Sequence, residues 1–385
     1  MKITEAIKQK RLYMDGATGT TLQNIDGLSF EKTEELCKNA PEIIKNLHLS
    51  YLEAGADIIC ANTFGLSRLS FDDPFEMAKC AFSCADFARQ EYFARHGVCD
   101  KYVAYDMGPT GRIVGRRGNL DFEDAVALFK ENAQNAEALG FDLIFIETMN
   151  DLRETKAALI GAKEGSSLPV FVSNAYDENG KMLFGTPPLA AISMLESMGA
   201  DAIGFNCSCG PDKLLGVLED YVKYSSLPII AKPNAGLPQI DRSTGKTYFD
   251  VSPSDFAENM EKMAKMGACI LGGCCGTTAR HISATVSATA DLPYAPPSFK
   301  DHTVVSGEVR AKIFDKAPVL IGERINPTGK KAIKEALRSA NYSYILSEGI
   351  KQEEAGVHVL DVNAGLPDID ESEALLELTL SLSEV

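Results

Sequence analysis

The stretch 265-KMGACILGGCC-275 joins three signals in one short run. A helical pattern ends at Met266, Gly267 offers a left-handed cap, and an apolar run follows at once before finishing on adjacent thiols. The same form recurs in different letters at 53-EAGADIICANTF, 138-ALGFDLIFIET, 197-SMGADAIGFNC and 354-EAGVHVLDVNAG. Near-continuous apolar runs read as strands buried on both faces, and their alternation with amphipathic helices is the mark of parallel βαβ units.

Counted outward from that stretch, eight strands are predicted through residue 280, around 11–15, 57–61, 102–106, 142–147, 169–173, 201–206, 228–232 and 269–273. Helical patterns lie near 41–54, 75–96, 121–139, 151–163, 188–198, 211–224, 253–266 and 278–290. Eight alternating units in this length fit a closed (β/α)8 TIM barrel, an α/β fold, better than an open sheet. The expected domain spans 1–290. A proline-rich linker, 291–317, follows, and alternation resumes over 318–385 with two βα units. Two strands do not close a parallel sheet, so this last part reads as an incomplete second β/α barrel, cut off within the chain given.

Composition narrows the chemistry. The chain has 385 residues and a net charge of −16, which argues against nucleic-acid partners and anionic membranes. The N-terminus carries no apolar run of signal-peptide length, and no membrane span is predicted. The expected setting is the cytoplasm. Ten cysteines there read as free thiols, small buried hydrophobes or metal ligands, with no disulfide framework. Cys37, Cys60, Cys80, Cys84, Cys99 and Cys269 read as structural.

In a TIM barrel the chemistry gathers where strands end. Those positions hold Asp15, Asn62, Asp106, Glu147, Asn174, Cys207, Asn234 and the pair Cys274-Cys275. Strands 6 and 8 bring Cys207, Cys274 and Cys275 toward one another, a soft donor set that suits zinc with the fourth position open. Cys209 is an alternative to Cys207. Neighbouring residues on a strand face opposite ways, so both thiols of the pair reach one ion only where the backbone leaves the strand; Gly272, Gly273 and Gly276 permit that. Thr277 and Thr278 are expected to cap the next helix, whose dipole favours anionic sulfur. A redox pair is the competing idea, but the C-x-x-C spacing is absent and a disulfide between neighbours is strained.

Zinc held by three thiolates is a poor activator of water and a good holder of a fourth thiolate. The reaction class that follows is attack by a substrate sulfur on an electrophile. Asp15 and Glu147 are positioned to hold the ammonium of an amino-acid thiol, the alternative being an ordinary strand-end ion pair. The loop carrying Arg112, Arg116 and Arg117 reads as a solvated charge cluster.

The motifs 15-DGATGT-20, 61-ANTFG-65, 108-GPTG-111, 206-NCSCGP-211, 232-KPNAGLP-238 and 272-GGCCGTT-278 together resemble the homocysteine S-methyltransferase family. A second likeness lies in 321-IGERINPTGKK-331 and 359-VLDVNAG-365, which resemble the start of the pterin-binding barrel that follows this module in the cobalamin-dependent methionine synthase family. The resemblance implies that Cys207, Cys274 and Cys275 ligate zinc, with Asn234 a fourth ligand when substrate is absent. It implies that Asp15 and Glu147 bind the amino group of homocysteine, and that Glu323, Asn326, Asp361 and Asn363 match folate-lining positions. The implied methyl donor is methylcobalamin on a further module, charged ultimately from methyltetrahydrofolate, and the product is methionine. No D-x-H-x-x-G cobalamin pattern occurs, and the partial second barrel is not expected to form a working folate site. The alternatives are a stand-alone homocysteine methyltransferase with another donor, or a non-catalytic zinc- or thiol-binding module. Residues 234-NAGLPQID-241 and 363-NAGLPDID-370 nearly repeat, and a turn shared between related barrels explains the echo without a shared ligand.

Overall fold

A computed structural model describes residues 1–383 except 26, 99, 117, 241, 243–246 and 316. The chain divides into two compact units, Met1–Lys300 and Asp301–Val385.

The first unit is built around eight parallel strands: β1 (Leu12–Tyr13), β2 (Ile58–Cys60), β3 (Tyr102–Met107), β4 (Leu143–Met149), β5 (Val170–Asn174), β6 (Ala202–Cys207), β7 (Ile229–Pro233) and β8 (Ile270–Leu271). Each pairs in parallel with its sequence neighbours, and β8 pairs with both β7 and β1. The ring is completed between β1 and β2 by a bridge from Met14 to Ile58, with Asp57 N donating to Tyr13 O at 2.7 Å. This is the expected (β/α)8 barrel, and all eight strands fall where the apolar runs place them.

The reasons are local. Ahead of β2, β3, β4, β6 and β8 a glycine of positive φ makes the turn, as Gly140 does at φ 86° after the helix Phe122–Leu139, whereas the helices before β5 and β7 end at Ser166 and Ser225 in extended backbone. Helix starts are fixed by side-chain acceptors: Asp73, Asp121, Asp151 and Ser252 each take a backbone N–H from the first turn. The region predicted as one helix over 211–224 begins instead as a 3-10 turn, Pro211–Leu214, before Leu215–Tyr224.

Inside the ring, Leu12, Met14, Ile58, Phe145, Phe171 and Ile230 form one buried cluster. A helix that the strand pattern did not predict, Ile3–Gln9, adds Ile3, Ala6 and Ile7 to that cluster. Their helical spacing gives one apolar stripe, and it stoppers the barrel at the end where the strands begin. The other end is left for chemistry. Among the described residues, no helix is long and apolar enough to cross a membrane.

The second unit has its own small core, including Ile325, Ile333, Leu337, Ile345, Leu366 and Leu378. Two parallel strands, Ile321–Ile325 and Val359–Val362, pair there, and an antiparallel hairpin joins Val304–Ser306 to Ala311–Ile313 inside the stretch read as a linker. The helical pattern over 329–356 resolves into Lys331–Arg338 and Tyr342–Glu354, separated where Ala340 takes φ 51° and Asn341 caps the second helix.

Candidate metal and substrate site

Three loops converge at the strand ends. β6 finishes on Cys207, which with Ser208 adopts left-handed backbone at φ 62° and 61°. Such conformations cost energy in non-glycine residues and are held by their surroundings. Here Cys209 N donates to Cys207 O at 2.8 Å, Asn234 N to Cys209 O at 3.0 Å, Ala235 N to Cys275 O at 2.9 Å and Cys274 N to Pro233 O at 2.8 Å. The loops after β6, β7 and β8 are thus stitched into one frame.

Because β8 ends at Leu271, Cys274 and Cys275 both lie beyond the pleat, in the turn that the glycines allow. Gly276 takes φ 80°, and a β-carbon there would run into the Phe249 ring. Thr278 opens the helix Ala279–Thr289, its N–H donating to His281 Nδ1 at 3.2 Å. Thr277, expected to share that capping, does something else. Its hydroxyl donates to Cys274 O at 2.7 Å and accepts from Ala17 N at 3.2 Å, tying the thiol turn to the loop after β1.

The outcome is a cluster in which the Cys207, Cys274 and Cys275 sulfurs all lie within 4.8 Å of one another. Tetrahedral zinc with bonds of about 2.3 Å needs ligand sulfurs roughly 3.8 Å apart, so this trio can close on one ion by small movements. Cys209 is not in the cluster. The trio shares protons: hydrogen bonds from Cys274 and Cys275 pull Cys207 down to about 3, and the bond with Cys207 pushes Cys274 up to about 11. Asn234 Oδ1 is buried and has no hydrogen-bond partner among the described residues.

A cavity of about 310 Å³ opens beside the sulfurs, with Asn62, Asp106, Glu147, Lys232 and Cys275 on its wall. Glu147 is aimed into it by a register shift in β4, where Thr148 takes φ 59°. Beneath lies Lys232, only 3% exposed, with Nζ 3.4 Å from Glu147 and 3.7 Å from Asp15. Burial pushes Glu147 up to about 7 and Asp15 up to about 6, against the opposing pull of Lys232. For Lys232, burial favours the neutral amine, but the negative charge of Glu147 and Asp15 holds it well above the ordinary lysine value. Burial, then the neighbouring Glu147, holds Asp106 far above the carboxylate range.

The predicted residues separate by position. Asn62, Asp106, Glu147 and the three clustered cysteines reach the cavity. Asp15, 1% exposed, lies behind the wall, and its Oδ2 accepts from Cys60 N at 2.7 Å. Asn174 turns away to Thr155 Oγ1 at 3.0 Å. Arg112 and Arg116 are exposed, and Arg117 and Cys99 lie outside the described residues. The nine described cysteines are free thiols, as expected. In the second unit Glu323, Asp361 and Asn363 are exposed and Asn326 is half-buried, its amide donating to Glu323 Oε1 at 2.6 Å. The two N-A-G-L-P loops therefore differ: Asn234 is buried, with its backbone amide donating to Cys209 O, and Asn363 faces solvent, while Asp241 lies outside the described residues.

Two functional residues escaped the sequence reading. Lys232 carried a signal, since an ammonium at the end of a strand buried on both faces has to meet an anion. Asn206 did not. Its Nδ2 donates to Thr148 Oγ1 at 2.7 Å, Glu147 Oε2 at 3.4 Å and Cys274 Sγ at 3.7 Å, linking the acidic floor to the thiols.

Comparison with known proteins gives this geometry its context. The chain is 30% identical to the methionine synthases of Mycobacterium leprae (strain TN) and Mycobacterium tuberculosis (strain ATCC 25618 / H37Rv), over 94% of its own length and 32% of theirs. It thus spans about a third of these relatives. Among solved structures, the homocysteine methyltransferase MmuM of Escherichia coli shares the fold. Its metallated form superimposes with a TM-score of 0.63 at 21% identity, over 74% of this chain and 98% of that one, and its apo form with 0.59. The family model described as homocysteine S-methyltransferase matches residues 12–289, the whole barrel with its thiol cluster, and the chain belongs to that family.

Proposed function

We propose that this chain binds homocysteine, holds its sulfur as a thiolate at a zinc ion and presents it to a methyl donor, giving methionine. The observation that carries the reading is the trio of Cys207, Cys274 and Cys275 sulfurs beside a cavity with an acidic floor. These three would hold the zinc, and the unpartnered Asn234 Oδ1 fits the fourth position when substrate is absent. When bound, zinc supplies the positive charge that keeps a substrate thiol, ordinarily titrating near 8.5, deprotonated at neutral pH.

The chain's own groups do the positioning. Asn206 steadies Cys274 and Glu147 together. Glu147 from the cavity wall, and Asp15 from behind it, receive the homocysteine ammonium, while Lys232 keeps the two carboxylates from repelling each other. With the amino acid fixed at that end, its sulfur lone pair forms the bond to the methyl carbon as the donor's own bond to that carbon breaks, its electron pair leaving with the donor.

For the donor we infer methylcobalamin carried on a separate module, charged ultimately from methyltetrahydrofolate. The two relatives named methionine synthase support this, because they align along both units of the chain. In that reading 1–290 is the homocysteine barrel, 291–317 a linker and 318–385 the start of a pterin-binding barrel. Glu323, Asn326, Asp361 and Asn363 would then stand where folate is held, on the ends of two adjacent parallel strands. Free thiols throughout the described chain suit a reducing compartment, the cytoplasm.

A metal-storing module would close its site with a fourth strong ligand, whereas the three sulfurs here leave one side to the cavity. The test is metal analysis alongside methyl transfer to homocysteine, from methylcobalamin and separately from a methylsulfonium donor. Wild type should hold about one zinc per chain and use methylcobalamin, and Cys275→Ala should lose both metal and activity. Full activity in a metal-free Cys275→Ala protein would falsify the mechanism.

A further inference from the structure

Asp106 is a buried acid without an explanation in the proposed chemistry. It sits at the end of β3, 6% exposed, and lines the cavity shared with Glu147 and the clustered thiols. Its backbone is tied down, the amide donating to Thr63 Oγ1 and the carbonyl accepting from the same hydroxyl, both at 2.9 Å. Its carboxylate is not: among the described residues Oδ1 has no hydrogen-bond partner. The nearby cation, Lys232, is already engaged by Asp15 and Glu147.

A carboxylate buried for structural reasons is normally paired, since removing it from water without a partner costs several kcal/mol. An orphaned acceptor on a cavity wall is accounted for when a ligand brings the donor. The two acids assigned to the ammonium are unequal in this respect. Glu147 faces the cavity, but its Oε2 already receives Lys232 and Asn206, both at 3.4 Å. Asp15 lies behind the wall, its Oδ2 accepting from the Cys60 amide and its Oδ1 3.7 Å from the Lys232 ammonium. A primary ammonium has three N–H donors, and Asp106 Oδ1 is a vacant acceptor on the same wall as Glu147.

We propose that Asp106 is a specificity-determining residue that accepts a hydrogen bond from the substrate ammonium, so that the cavity selects an α-amino thiol over a thiol lacking the amine. This rests on the proposed homocysteine function and adds to it the group that reads the amine. A charge-assisted hydrogen bond lost from a buried site weakens binding by about tenfold or more, and the loss should fall on the amine alone.

The test compares L-homocysteine with 4-mercaptobutanoate, the same thiol acid without its amino group, by titration calorimetry on zinc-loaded wild type, Asp106→Asn and Asp106→Ala. Metal content and melting temperature are recorded for each. Both variants should hold zinc as wild type does and melt no lower when ligand-free, because the side-chain oxygen Oδ1 that they replace has no hydrogen bond to lose among the described residues. Their affinity for homocysteine should fall about tenfold or more, with affinity for 4-mercaptobutanoate unchanged. Unchanged selectivity overturns the assignment. Equal weakening of both thiols also overturns it, since Asp106 would then serve the sulfur or metal, and misfolding of both variants would make it a structural group. Wild type that binds neither zinc nor homocysteine fails the functional reading itself, and this assignment with it.

Discussion

Replacing Lys232 by methionine removes the ammonium from between Asp15 and Glu147 while keeping most of its stem. The three groups are nearly sealed, with side-chain exposures of 4%, 1% and 9%. Taking one partner from a buried pair costs roughly 3–5 kcal/mol when the charge left behind stays uncompensated. Here the carboxyl groups can escape by holding protons. Wild-type Asp15 and Glu147 already sit near 6 and 7, and since Lys232 lowers both, its loss moves them higher still. At pH 5.5 both acids are then largely neutral with or without the lysine, and the substitution costs little. Above pH 7 the wild type ionises with Lys232 offsetting one of the two negative charges. The variant must keep protons that the unfolded chain releases, losing roughly 1.4 kcal/mol per pH unit for each such carboxyl until the full cost is reached. At about 2 °C per kcal/mol in a unit of this size, the melting temperature of Lys232→Met should match wild type at pH 5.5 and fall roughly 6–10 °C below it at pH 8.5. Scanning calorimetry on metal-free protein in chelator reads this directly. An equal deficit at both pH values, or a larger one at pH 5.5, refutes the buried-pair reasoning.

Three further outcomes are expected. Asn206→Leu removes the amide that donates to Cys274 and Glu147 and should lower zinc affinity about 10–100-fold, measured by competition with a chromophoric chelator. Gly276→Ala places a β-carbon against Phe249 at φ 80° and should destabilise by roughly 1–3 kcal/mol while also weakening zinc binding; unchanged melting would show that the turn relaxes freely. Asp73→Ala removes the cap of the helix Pro74–His96, far from the thiols in sequence, and should cost about 1 kcal/mol with zinc content intact.

The barrel was legible because most units repeat a local rule, helix then glycine then apolar run, that owes nothing to distant residues, and the units before β5 and β7 keep the helix and the apolar run without the glycine cap. Cys207 with Cys274 and Cys275 followed from that rule once strand order was known. What escaped depends on contacts between distant segments. The helix Ile3–Gln9 is too short to announce itself by periodicity and is stable because the barrel gives its apolar stripe a seat. The hairpin Gln239–Ile240 with Thr247–Tyr248 is two residues a side and has no apolar alternation to betray it. Asp15, Asp106 and Glu147 look alike at strand ends, yet a register shift turns Glu147 into the cavity and a bond to Cys60 holds Asp15 behind it. Such distinctions live in side-chain direction, which residue spacing does not encode.

The stopper formed by Ile3, Ala6 and Ile7 has a consequence for traffic. With the barrel interior filled from below, the cavity among the described residues lies at the mouth formed by the strand ends. In the proposed reaction the amino-acid thiol passes that mouth before a bulky donor covers it, and the methylated product leaves after the donor withdraws. Turnover on this scaffold is therefore a queue with a fixed order, and the donor's departure, whatever the speed of the chemical step, is where the queue can stall.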